Sequence, residues 1–109
     1  MQVLMILYKS RLPITRVEEL FRERMGKYRA VPGLLQKLYV NDRATGQVGG
    51  IYVFDTEEHL NDFRGSDLEK SIEQVYQCTE RPTFRVLDVV HALHEESIHA
   101  GPVGQAPGA

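Results

Sequence analysis

The chain has 109 residues, 42% hydrophobic and 26% charged, with 13 Lys+Arg against 15 Asp+Glu, a net charge of −2, one Cys and no Trp. That is chain enough for a single domain, and the charge balance excludes the broad basic footprint of a nucleic-acid partner. A lone Cys78 excludes an intrachain disulfide and a cysteine-built metal centre. No run approaches the ~20 apolar residues of a membrane span, and the start at Met1 lacks a basic secretory leader. The expectation is a soluble, cytoplasmic protein with no membrane and no nucleic-acid partner.

The apolar run over residues 2–9 predicts a strand. Both of its alternating sets, Val3/Met5/Leu7 and Leu4/Ile6/Tyr8, are apolar, as expected of a strand covered on both faces. Pro13 breaks it, and Thr15 with Glu18 reads as a capping box that opens a helix. That helix carries Val17, Leu20, Phe21 and Tyr28 on one stripe and ends before Val31-Pro32-Gly33.

Leu34–Val40 predicts a second strand. It leads through the polar connection Asn41–Gly46 into a third, Gly49–Phe54, and the two form an antiparallel hairpin. A short helix follows over Thr56–Phe63, and Ser66 with Glu69 opens another, striped by Leu68, Ile72, Val75 and Tyr76. Arg81-Pro82 forces extension, and Thr83–Val90 predicts the last strand. We expect a domain over residues 1–94 and a flexible Pro/Gly-rich tail over 95–109.

The order β-α-β-β-α-β predicts an α+β, ferredoxin-like antiparallel sheet with its helices on one face. The other face is also apolar, through strands one, three and four. A bare face of that kind on a monomer is a large exposed patch, so a homodimer is expected to cover it.

Three stretches carry a family resemblance: Val31-Pro-Gly-Leu-Leu-Gln-Lys-Leu-Tyr39, the hairpin ending in Thr45-Gly46, and Val48-Gly-Gly-Ile-Tyr-Val-Phe54. Together with the closing strand Pro82–Val90, they make residues 2–92 resemble the YdhR-like monooxygenases of the dimeric α/β-barrel superfamily, relatives of the antibiotic-biosynthesis monooxygenases. The resemblance implies a homodimer whose sheets form a barrel, with a small pocket in each protomer between sheet and helices. It also implies oxidation of a small aromatic or polyketide-type substrate by dioxygen, with no metal, flavin or other cofactor. Other members of the superfamily isomerise lactones, degrade haem or bind small ligands. An isomerase, cyclase or decarboxylase and a non-catalytic ligand-binding dimer therefore stand as alternatives.

Arg24 falls within the apolar stripe of the first helix, where an unpaired charge is costly. The plain reading is a snorkelling or salt-bridged arginine, with Asp88 as a partner; the chemical reading is an anchor for a substrate anion. His59, one turn before Phe63, is either a surface histidine or the group that takes a phenolic proton. Tyr52 and Tyr76 are the preferred pocket hydroxyls, joined by Tyr28 and Phe63 as substrate-binding walls, although aromatics at these positions are core residues first. His91, His94 and His99 match neither zinc-protease pattern and read as a solvated strand exit. Gly49-Gly50 reads as room for close backbone packing, and Cys78 as structural.

Overall fold

The computed structural model describes residues 1–94. Its elements run β1 (Gln2–Tyr8), α1 (Ile14–Arg29), β2 (Leu34–Asn41), β3 (Val48–Phe54), α2 (Glu57–Arg64), α3 (Asp67–Val75) and β4 (Thr83–Asp88). The four strands form one antiparallel sheet in the order β2-β3-β1-β4. This is the α+β ferredoxin-like arrangement expected from the sequence. The expected tail over 95–109 lies outside the described residues.

The period-two alternation of β1 sorts its side chains cleanly. Leu4, Ile6 and Tyr8 are buried on the helix side, where they meet Val48, Tyr52 and Phe54 of β3 and Val17, Phe21, Tyr28, Leu60, Phe63, Ile72 and Tyr76 of the helical layer. Val3, Met5 and Leu7 point to the opposite face, in register with Val53, Ile51 and Gly49. Among the described residues no helix covers that face, and Leu38 and Leu87 on it stay 52% and 43% exposed.

The helix starts show which capping signals are used. Thr56 accepts from the His59 backbone N–H to open α2, and Ser66 accepts from Glu69 N–H to open α3. The capping box expected at Thr15/Glu18 does not form. The N-cap lies two residues earlier, at the extended Pro13, with no side-chain cap. Proline's fixed φ already turns the chain into the helix there, and its carbonyl accepts from Arg16 and Val17 N–H.

The last strand is also shorter than expected and stops at Asp88, with Val90 and Leu93 almost fully exposed. Gly49 bears out the close-packing expectation. A Cβ there would lie 1.9 Å from the Ile6 carbonyl oxygen on the neighbouring strand.

Candidate functional site

Positions 17, 21, 24 and 28 fall on one side of α1, so Arg24 is carried inward with Val17, Phe21 and Tyr28. Its side chain is 7% exposed. Nη2 donates to Ser71 Oγ at 2.8 Å, and that hydroxyl donates to the Leu68 carbonyl at 2.6 Å. The guanidinium carbon lies 5.8 Å from the centre of the Tyr76 ring, and Nε is buried without a hydrogen-bond partner. Among the described residues no carboxylate forms an ion pair with it. Asp88, the expected salt-bridge partner, instead accepts from Gln2 Nε2 at 2.7 Å.

A second cation reaches the same layer from β2. A register shift between Leu34 and Gln36 places Leu34 opposite Phe54 and Lys37 opposite Tyr52, so both point to the helix side. Lys37 Nζ then lies 3.2, 4.3 and 4.7 Å from the ring centres of Tyr28, Tyr39 and Tyr52. Gly50 makes room for this contact. A Cβ there would lie 2.9 Å from the Tyr52 ring and 3.0 Å from Lys37 Cε. Burial first, and the Arg24 charge second, push the Lys37 ammonium down to about 6.

The two cations sit among five tyrosines. Tyr28 is 5.9 Å from Tyr52, and Tyr76 is 5.2 Å from Tyr8, centre to centre. Burial drives the Tyr8, Tyr52 and Tyr76 phenols above their ordinary range; neighbouring tyrosines add to this, and Arg24 partly opposes it at Tyr8 and Tyr76. Tyr39, nearer the β2 edge, is pushed up to about 12 by burial. The raised phenols of Tyr8, Tyr39, Tyr52 and Tyr76 are neutral hydrogen-bonding groups at physiological pH, so they do not balance the positive charge.

His59 and Asp55 form a separate pair. Asp55 ends β3, His59 lies in the first turn of α2, and His59 Nδ1 is 2.7 Å from Asp55 Oδ1. That hydrogen bond raises the imidazole's pKa and lowers that of the carboxyl. His59 lines an open concavity of about 190 Å³ with Val31, Pro32, Phe63, Ser66 and Leu68. Phe63 also packs against Tyr28 and Tyr52, at 6.2 and 5.1 Å between centres, so it forms the wall between the concavity and the tyrosine layer. A larger polar concavity of about 280 Å³, lined by Lys9, Gln47, Glu80 and Arg81, contains none of the candidate residues.

The structure thus brings Arg24, Tyr28, Tyr52 and Tyr76 into one buried layer with Phe63 at its boundary, and sets His59 on the far side of Phe63. Sequence reasoning missed Lys37, Asp55 and Ser71. Simple alternation from Leu34 sends Lys37 to the other face, and only the register shift reverses this. Asp55 stands four residues before His59, a spacing that was legible once α2 was taken to start at Thr56. Among the described residues no cluster of His, Cys, Asp or Glu gathers as a metal site, and His99 lies outside them. Burial and Glu73 push the Cys78 thiol up to about 11, which keeps it a thiol rather than a reactive thiolate.

The four-stranded antiparallel sheet backed on one face by helices is a fold shared with solved structures described as antibiotic biosynthesis monooxygenases. Solved structures of that type superpose on this chain. One is a protein of Deinococcus radiodurans described as a "putative antibiotic biosynthesis monooxygenase" (14% identity, TM-score 0.66), with 86% of this chain and 97% of that one covered. SnoaB, a cofactor-independent oxygenase from Streptomyces nogalater, matches at 10% identity and TM-score 0.67 over 86% and 97% of the two chains. The ActVA-Orf6 monooxygenase of Streptomyces coelicolor, solved with nanaomycin D, matches at 17% identity and TM-score 0.65 over 85% and 90%. At these identities the likeness is one of fold. No curated protein matches the sequence. The family described as "Putative mono-oxygenase ydhR" matches residues 3–95, and the chain belongs to it.

Proposed function

We propose that this protein is a cofactor-independent monooxygenase acting on a small aromatic or polyketide-type molecule with an acidic phenol or enol. The observation that carries the reading is Arg24: a buried guanidinium with an unpartnered Nε and no carboxylate, set among tyrosines. Such a group stabilises an anion that forms beside it, because the surrounding low dielectric strengthens the attraction. Tyr28, Tyr52 and Tyr76 orient the ring, with Phe63 at the boundary. His59, held by Asp55 at the concavity, passes the released proton to solvent. The substrate anion gives one electron to dioxygen, and the radical pair combines to a hydroperoxide. Loss of water then leaves a carbonyl, so that RH2 + O2 gives R=O + H2O.

The outer sheet face supports a homodimer. Val3, Met5, Leu7, Ile51, Val53, Leu38 and Leu87 give it a broad apolar surface, with Gln36 on β2 and Thr83 and Arg85 on β4 as its polar members, and a second copy buries that surface. No described helix is long and apolar enough to cross a membrane.

The test is oxygen uptake with a panel of hydroquinones and anthrones, run with and without air. Product formation that consumes oxygen and is lost in Arg24→Met is the expected outcome. Turnover at equal rates without oxygen replaces this reading with the isomerase or decarboxylase one.

A further inference from the structure

Lys37 and Arg24 are two basic side chains brought into one aromatic layer from different elements, β2 and α1, and neither has an ion-pair partner among the described residues. The groups facing Lys37 are known from each packed element. Arg24 and Tyr28 face it from α1, Tyr39 lies on its own strand, and Tyr52 faces it from β3. None of these supplies negative charge. Arg24 is thus a buried charge without a counter-charge, and burial together with that charge holds Lys37 toward its neutral amine. The Lys37 tip covers the faces of three tyrosine rings, the surface on which an aromatic ligand would stack.

We infer that Arg24 and Lys37 together form a binding site for a planar aromatic anion, a carboxylate or phenolate, whose ring takes the place over Tyr28 that Lys37 Nζ occupies in the empty protein. Lys37 is suited to yield that place. It stands on the edge strand of the sheet, is only partly buried, and has a flexible four-carbon stem that can carry its charge to the rim of the bound anion. Arg24 is fixed by Ser71, and its unpartnered Nε is a donor available for a planar acceptor. The inference deepens the proposed function by making Arg24's anion part of a defined ligand class.

A proton signature accompanies it. Lys37 is largely neutral in the empty protein above about 6. An anion alongside it favours the ammonium, so binding at mildly alkaline pH takes up about one proton.

The experiment is titration calorimetry with benzoate, 4-nitrophenolate, benzamide and inorganic phosphate, in two buffers of different ionisation enthalpy. Benzoate and 4-nitrophenolate are expected to bind with proton uptake, and benzamide and phosphate about tenfold more weakly or not at all. Lys37→Met is expected to abolish the proton uptake, and Arg24→Met to weaken the anions by about tenfold or more. The wild-type buffer comparison decides the matter even if a variant fails to fold. Three results overturn the inference: no binding by either aromatic anion, binding without proton uptake, or equal binding of benzamide or phosphate. Failure of oxygen uptake alongside successful anion binding removes the monooxygenase reading and leaves the site; the reverse result removes only the site.

Discussion

His59 Nδ1 and Asp55 Oδ1 meet at 2.7 Å directly against the backbone of Gly33. The raised imidazole and the lowered carboxyl set the pH window of this pair. Its contribution to stability is complete between the ordinary values of 3.8 for Asp and 6.5 for His. It fades as pH falls through the lowered Asp55 value and as pH rises through the raised His59 value. Asp55→Asn is expected to return the His59 titration, followed by NMR, toward 6.5 and to flatten this part of the stability profile.

Gly33 has φ +76, and a Cβ there would lie 2.3 Å from His59 Nδ1 and 2.4 Å from Asp55 Oδ1. Gly33→Ala is expected to cost about 1–3 kcal/mol in urea unfolding through backbone strain, and to separate the pair. A stable variant with an unchanged His59 titration would show that the contact is not needed.

Lys37 gives the chain an alkaline stability maximum. Its folded pKa of about 6 lies below the ordinary 10.5, so the unfolded chain binds more protons between those values. Stability therefore rises with pH across that range. Above the ordinary tyrosine value of 10.0 the sign reverses, because the buried phenols of Tyr8, Tyr52 and Tyr76 resist ionisation that the unfolded chain permits. Lys37→Met is expected to abolish the rise and keep the fall, as read from urea midpoints against pH.

Arg24 and Ser71 respond differently to truncation. Ser71→Ala leaves the guanidinium with another unmet donor and is expected to cost about 1–3 kcal/mol. Arg24→Met replaces a buried, partly unsatisfied charge with an apolar chain of similar length and is expected to be neutral or stabilising by about 1 kcal/mol. Thermal unfolding of both variants checks the order.

Leu38→Glu places a charge on the outer sheet face, on its β2 edge strand. If that face joins two copies, the variant sediments as a single subunit while its circular dichroism stays that of the wild type. An unchanged sedimentation coefficient, whether of one subunit or two, counts against the face as the interface.

The fold was legible because its signals were local and agreed with one another. β1 is apolar in both alternating sets, Ser66 and Thr56 cap their helices, and Asn41–Gly46 closes a hairpin with Gly46 at φ +78. Arg24 could be singled out because helical spacing alone puts it among Val17, Phe21 and Tyr28. Lys37 could not, since its direction depends on an irregularity that no residue type announces. The end of β4 was also out of reach. Phe84, Val86 and Leu87 look like core in the sequence, yet they lie on a strand whose six residues are all exposed.

The irregularity in β2 also bears on how this chain tolerates changes in length. Downstream, pairing is set by the hairpin to β3; upstream, Leu34 sits opposite Phe54 beside the turn from α1. Leu35 is the surplus residue between these two fixed points, so its loss would leave a regular strand with Lys37 and Tyr39 still facing inward. Loss of one residue there therefore leaves the inward-facing set of β2 in place, a freedom that the glycine-lined neighbour strand does not share.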